Sequence, residues 1–299
     1  MRFSLGAPLR DLIPLQALAV CLAVAPIVLA LAAFRRIDAV RPEPHGEIAR
    51  TMLLGVAACV PVFVIEALLK RALGPHAAAG GRFLDAFLVA ALTEEGAKLL
   101  VVLGYSFRRE AFDEFTDGVL YAGAASLGFC LVENLIYLSD AFAMAFCVLP
   151  GSDDLCAPHP QANRGDVVIL GLVRAMTTVP MHALAAACMG YFIGRARFPE
   201  LSLLESSLSD LSDLLPERIP LRARWILLGL LAAVLVHGTF DWVVYALGAR
   251  PVVFLVLPAT LLTALALGYR LVRHAQVMDD ALHGHRRSSI VRAFRVRSG

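Results

Sequence analysis

Ala91-Leu92-Thr93-Glu94-Glu95-Gly96-Ala97-Lys98-Leu99-Leu100 sets two adjacent carboxylates and a lysine inside an otherwise apolar run. One unpaired charge in hydrocarbon costs roughly 3 kcal/mol or more, so three this close together need partners or a use. The run around them reads as a membrane-spanning helix, and that reading sets the fold class. Composition agrees: of 299 residues, 59% are hydrophobic and 17% charged, with a mean hydropathy of +0.71. A soluble domain carries about 25% charged residues. The balance points to a membrane protein, with the lipid bilayer as its surroundings and no nucleic acid as a partner.

Outward from that stretch, seven segments reach the roughly 20 residues that a bilayer crossing needs. They lie near 13–34, 51–70, 85–106, 117–139, 167–194, 223–247 and 251–272. The expected fold is therefore all-α, a polytopic transmembrane helix bundle of about seven spans. Residues 1–272 form the transmembrane domain, with a motif core over 85–247, and 273–299 a basic cytoplasmic tail. Arg2 and Arg10 precede the first apolar run, which is too long for a signal-peptide h-region, so an uncleaved span is expected. Arginine density sets the orientation. The loops holding Arg35, Arg36, Arg41 and Arg50, then Arg108 and Arg109, then Arg195, Arg197, Arg218 and Arg222, fall on one side with the tail. That side is the cytoplasm, which puts the N-terminus out and the C-terminus in.

Four of the six cysteines, Cys21, Cys59, Cys130 and Cys188, sit in apolar runs and read as small hydrophobes. Cys147 and Cys156 flank a polar loop over 148–155, where an oxidising compartment would allow a disulfide. Gly190 with Gly194, and Ala124 with Gly128, are small-xxx-small pairs that let helices approach closely. Pro180 withholds a hydrogen bond from the Met176 carbonyl and should kink the fifth span.

The ionisable residues at depth fall on four consecutive spans. Glu94, Glu95 and Lys98 lie on the third, Glu133 with Asn134 on the fourth, Arg174 and His182 on the fifth, His237 and Asp241 on the sixth. A four-helix polar core is what an inward-facing site requires. Glu94 and Lys98 are spaced i,i+4 and can pair, with Glu95 turned about 100° from Glu94. His237 and Asp241 share the same spacing and one face, suited to joint ligation or to a carboxylate orienting an imidazole. Arg174 reads as a carboxylate partner, and Glu66 with Lys70 as a helix-end pair.

Two chemistries fit this set. In one, His182 and His237 with Glu133 or Asp241 bind Zn²⁺, while Glu94 or Glu95 takes a proton from water. In the other, a buried glutamate activates water without a metal, and the histidines with Asn134 stabilise the oxyanion. Either hydrolyses a bond presented within the membrane. A different class remains open on the residues alone: a proton- or ion-coupled transporter or channel using the same Glu/His set as a relay.

Thr93-Glu94-Glu95-Gly96-Ala97-Lys98, the glycine-rich helix from Asp117-Gly118 to Gly128-Phe129-Cys130-Leu131-Val132-Glu133-Asn134, His182, and His237-Gly238-Thr239-Phe240-Asp241 together resemble the PrsW family of intramembrane proteases. That family belongs to a larger grouping with the CAAX prenyl endopeptidases. This chain has Leu99 where the latter favour arginine, and Glu133 where they favour histidine. The resemblance covers Leu92 to Asp241 and implies a bacterial inner-membrane endopeptidase that makes the first cut in a single-span anti-sigma factor. It implies Glu94 and Glu95 as catalytic carboxylates. Glu133, His182 and His237 follow as ligand or oxyanion candidates, with Asp241 beside them and Lys98, Asn134 and Arg174 in support.

Overall fold

The structure is a computed structural model, and it describes residues 9–37, 41–74, 79–139, 164–199, 211–247 and 253–297. Among the described residues every regular element is helical. The helices are α1 (Leu9–Ile37), α2 (His45–Leu73), α3 (Ala79–Leu84), a π-helical turn (Asp85–Ala91) and α4 (Leu92–Gly104). They continue as α5 (Thr116–Leu138), α6 (Arg164–Met176), α7 (Thr178–Arg197), α8 (Leu221–Leu247) and α9 (Val253–Arg297). Because α3, the π turn and α4 run end to end, and α6 and α7 are parted only by Thr177, the described chain makes seven rods. Five of them meet the length and apolarity of a membrane span. The rod carrying Glu94, Glu95 and Lys98 is not among those five. The polytopic all-α bundle expected from the sequence is the fold.

Helix α5 is the axis of the bundle. Of its most apolar stretch 83% is buried, against 22% for α1 and for α2, which wrap its outside. Glycine makes this centrality physically available. A Cβ on Gly118 would collide with the Gly190 carbonyl of α7, and one on Gly190 with the Gly118 carbonyl. The α5 and α7 backbones thus touch, the close approach that small residues permit without hydrocarbon side chains between them. Gly194 and Gly128, also marked by the sequence pattern, abut the Phe115 and Met52 carbonyls in the same way. The outward surfaces carry bare aliphatic side chains, such as Leu29, Leu100 and Ile169, each more than 60% exposed. A polytopic protein turns such faces to lipid.

The break between α6 and α7 falls where Pro180 predicts it. Thr177 leaves helical geometry at φ −125°, ψ −61°, one residue past the carbonyl that Pro180 cannot satisfy. The π turn before α4 has no such signature in the sequence. Thr93 hydroxyl bonds to the Val89 (2.5 Å) and Ala90 (3.0 Å) carbonyls span its junction with α4.

The C-terminal segment is more structured than a tail. Helix α9 continues unbroken past residue 272, and Ala275, Met278 and Leu282 are buried in the main core. Asp279 reaches the start of α5, where its carboxylate accepts the Phe115 and Thr116 (3.1 Å) backbone N–H groups. These are orphan donors of a helix N-terminus, and a carboxylate complements them. Burial nevertheless pushes the Asp279 carboxyl up to about 6, the two N–H bonds offsetting it only in part. His283 Nε2 pairs with Glu114 at 2.8 Å one turn further on. The loop with Cys147 and Cys156 lies outside the described residues.

Candidate active site

The polar residues of α4, α5, α6, α7 and α8 converge on one another. At the centre is the ammonium of Lys98, 1% exposed. It donates to Glu95 Oε1 at 2.7 Å, Glu94 Oε2 at 3.1 Å and His182 Nδ1 at 3.1 Å, and lies 4.4 Å from the Phe129 ring centroid. Pairing of Lys98 with Glu94 follows the i,i+4 spacing. Glu95 does not point elsewhere, as its angular offset suggests: from i,i+3 it grips the same ammonium.

Lysine only donates, so His182 Nδ1 must accept, and its Nε2 carries the hydrogen that meets Glu133 Oε2 at 2.8 Å. A bond from Ser126 to the His182 carbonyl (3.1 Å) ties this stretch of α7 to α5. Glu133 is held from its other side by Arg174, at 3.0 Å from Oε1. Arg174 Nε donates to Asn134 Oδ1 at 2.7 Å, and the guanidinium stacks 4.2 Å over the Tyr137 ring. Arg174 is thus the carboxylate partner that the sequence suggests, and Asn134 braces the arginine.

His237 completes the set. Its Nδ1 lies 2.8 Å from Glu95 Oε1, and its Nε2 lies 3.3 Å from Asp241 Oδ2 and 4.0 Å from Glu94 Oε2. The two imidazoles meet edge to face, 5.1 Å between centroids. Every residue singled out from the four polar spans is therefore in one network.

The network has two layers. Glu94, Glu133, His237 and Asp241, with Arg174, line a cavity of about 1100 Å³. Glu95, Lys98 and His182 lie behind that wall, each 1% exposed or less. The cavity opens toward the end of the bundle where α2 finishes and α3 begins, since Lys70, Gly74 and Arg82 form its mouth. That is the outer end in the topology expected from arginine density.

Two lining features are not apparent from the sequence. Glu66 is on the cavity wall and accepts a 3.3 Å bond from Thr93, the residue before Glu94. Its signal is a carboxylate near the end of an apolar helix, which reads equally well as a helix-end pair. Tyr245 also lines the wall, beside Tyr137, whose i,i+4 spacing from Glu133 is visible in the sequence; a tyrosine near a span end looks like an interfacial anchor.

The donor chemistry suits a divalent cation. Single ligand atoms of Glu94, Glu95, His182 and His237 all lie within 4.8 Å of one another. Glu95 Oε2 is buried with no hydrogen-bond partner among the described residues. The 3.3 Å from His237 Nε2 to Asp241 matches the spacing of two ligands on a tetrahedral zinc with bonds of about 2 Å. Lys98 already holds three of the four clustered side chains, so a cation and the ammonium would share them.

Comparison with known proteins meets this geometry from another side. A family model described as PrsW family intramembrane metalloprotease matches residues 43–266. The chain is 28% identical over 224 residues to Protease PrsW of Bacillus subtilis, covering 75% of this chain and 81% of that protein. It is 29% identical over 223 residues to Protease PrsW of Geobacillus kaustophilus, covering 75% and 78%. Identity to the Clostridioides difficile Protease PrsW is 24% over 222 residues, covering 74% of this chain and 77% of that protein. No solved structure matches the chain.

Proposed function

The chain belongs to the PrsW family of intramembrane metalloproteases and is an intramembrane protease; from that premise we propose that it cuts its substrate in the cavity walled by Glu94, Glu133, His237 and Asp241. The observation that carries this reading is the division of the polar set into a cavity-facing layer and a buried layer behind it.

In this reading Glu94 is the general base. It faces the cavity, and a carboxylate there can take a proton from water beside a bound peptide. Glu95 is a positioning residue: its Oε1 holds His237 Nδ1 and turns the other ring nitrogen toward the cavity. In the metal-free route His237, with Asp241 at 3.3 Å, gives a proton to the leaving amine and is reprotonated by Glu94, 4.0 Å from its Nε2. Glu133 is locked between His182 and Arg174, and this side of the wall supplies donors to the developing oxyanion. Where a zinc-like cation is bound, His237 Nε2 and Asp241 would hold it, with Glu95 Oε2 behind them, and Glu94 would then both take the proton from water and pass it to the leaving amine. When bound, such a cation polarises the scissile carbonyl as a Lewis acid. His182 would join it only by giving up Lys98.

The substrate in this reading is a single-span membrane protein, an anti-sigma factor cut at its first site, in a bacterial inner membrane with the N-terminus outside and the C-terminus cytoplasmic. A relay for ion transport has no comparable support, because the curated relatives are named as proteases.

The test is cleavage of a reconstituted single-span substrate by purified protein. Glu94→Gln and His237→Ala should abolish cleavage while the melting transition persists; parent-like cleavage by both removes the assignment. Chelation followed by metal add-back, with the bound metal quantified by mass spectrometry, separates the two hydrolytic routes. An enzyme that cleaves while free of metal retains only the glutamate route.

A further inference from the structure

The cavity has two chemically different ends. Its floor carries the carboxylates and imidazole described above, whereas its mouth carries Lys70, Arg71 and Arg82 against the single acid Asp85. Lysine and arginine at the end of a span ordinarily snorkel into the headgroup layer. All three border the cavity, Lys70 and Arg71 as exposed side chains at its rim and Arg82 half-buried beside them. Among the described residues none of them has a carboxylate within 4.0 Å, and Arg82 Nε is buried with no hydrogen-bond partner. Lys70 has Glu66 one turn below it, whereas Arg71 and Arg82 have no carboxylate in contact among the described residues, so the entrance to the acidic site carries a net positive rim that presents a recognition surface for an anion.

Resting on the reading of this cavity as the place of cleavage, we propose that the rim selects substrates. It takes a membrane-protein segment bearing acidic residues on the mouth side of the scissile bond. Helical rise sets the distance. Arg82 stands roughly 18 Å before Glu94 along its rod, while Lys70 is one turn, about 6 Å, beyond Glu66. Glu66 is at the level of Glu94, because it bonds to Thr93. A strand-like peptide advances about 3.3 Å per residue, so the acidic residues fall roughly two to six positions from the cut bond. Floor and rim then divide the labour. A carboxylate-rich floor repels acidic side chains at the cut itself, and the rim attracts them a few residues away on the mouth side, which fixes the register of the bound segment.

The probes are synthetic single-span peptides, identical except for a glutamate, glutamine or lysine flank, added to the full-length protein in phosphatidylcholine nanodiscs. Binding is read by fluorescence anisotropy on the Glu94→Gln protein, and cleavage by mass spectrometry on the parent. Three partly exposed ion pairs are worth about tenfold together, so the glutamate flank should bind about tenfold tighter than the glutamine flank. The difference should appear in KM. Lys70→Gln/Arg71→Gln/Arg82→Gln should erase the preference, and Lys70→Glu/Arg71→Glu should turn it toward the lysine flank. Single Arg82→Gln, read by binding, keeps the test decisive if the triple variant does not fold. Equal binding of all flanks by the parent, or a preference that survives the triple variant, overturns the proposal. It is also overturned if, in nanodiscs containing phosphatidylglycerol, the variants lose bound anionic lipid with peptide preference intact. A flank preference in binding with no cleavage by the parent supports the rim and removes the proteolytic reading of the cavity, so the two fail separately.

Discussion

Replacing Lys98 with methionine keeps the stem of the side chain and deletes the charge on which the site converges. The ammonium is 1% exposed and makes three bonds, at 2.7 Å to Glu95, 3.1 Å to Glu94 and 3.1 Å to His182. At an effective dielectric of about 20, each carboxylate pair is worth roughly 5–6 kcal/mol in Coulomb terms, most of it cancelled by desolvation. What the variant loses is compensation: two carboxylates remain buried without their cation, at a cost of about 3–5 kcal/mol. For a chain of this size that lowers the apparent melting temperature by about 6–20 °C, read by scanning fluorimetry in detergent. Glu95→Gln keeps an acceptor for His237 and removes one stranded charge. The double variant should therefore be more stable than the sum of the single losses by at least about 1 kcal/mol. Substrate cleavage should vanish in Lys98→Met, because Glu94 and the ring of His182 lose their common anchor. A melting temperature within about 2 °C of the parent, or strictly additive losses, would refute the ammonium-centred network.

Gly190→Val should leave little folded protein in size-exclusion profiles, since its Cβ would enter the Gly118 carbonyl where two backbones touch. Monodisperse parent-like protein would show that α5 and α7 are not in that contact. The Asp279 carboxyl, normally near 3.8, is raised to about 6 by burial, so the folded state holds its proton more tightly than the unfolded chain does. The stability from this group is full below about pH 3.8, falls as pH rises, and is gone above about pH 6, a change of at most about 3 kcal/mol. Asp279→Asn should flatten denaturation midpoints across that window; an unchanged pH dependence would remove Asp279 as the cause. Arg174→Gln frees Glu133 on one side and Asn134 on the other. It should cut kcat about 10²- to 10³-fold, on the scale of losing one oxyanion-stabilising group, and parent-like kcat would count against that side of the wall.

How much of the molecule is legible in its sequence follows from which forces are local. Charged residues in apolar runs are conspicuous at any position, because hydrocarbon tolerates so few of them. Glu94, Lys98, Glu133, His182 and His237 therefore stand out from the chain alone, and so do the small-residue pairs on α5 and α7. The break at Thr177 is equally local, since a proline removes one hydrogen bond at a known offset. Glu66 reads as a helix-end pair because nothing in its own turn says that Thr93, 27 residues away in sequence, will bond to it. The docking of Asp279 on the α5 N-terminus, 163 residues distant, has no local signal either.

By itself, then, the sequence determined the class of protein: an all-α membrane bundle with charged groups on four successive spans and helices meeting through glycine. Hydropathy, periodicity and residue size act over one or two turns and survive as patterns in the chain. Only the tertiary structure decided which charges are partnered and which are presented. Glu94 and Glu95 are neighbours with one chemistry, yet their side chains leave the helix about 100° apart. One lines the cavity, and the other is sealed behind Lys98 and His237. That division comes from how α4, α5, α7 and α8 press together, and no spacing within a single helix encodes it.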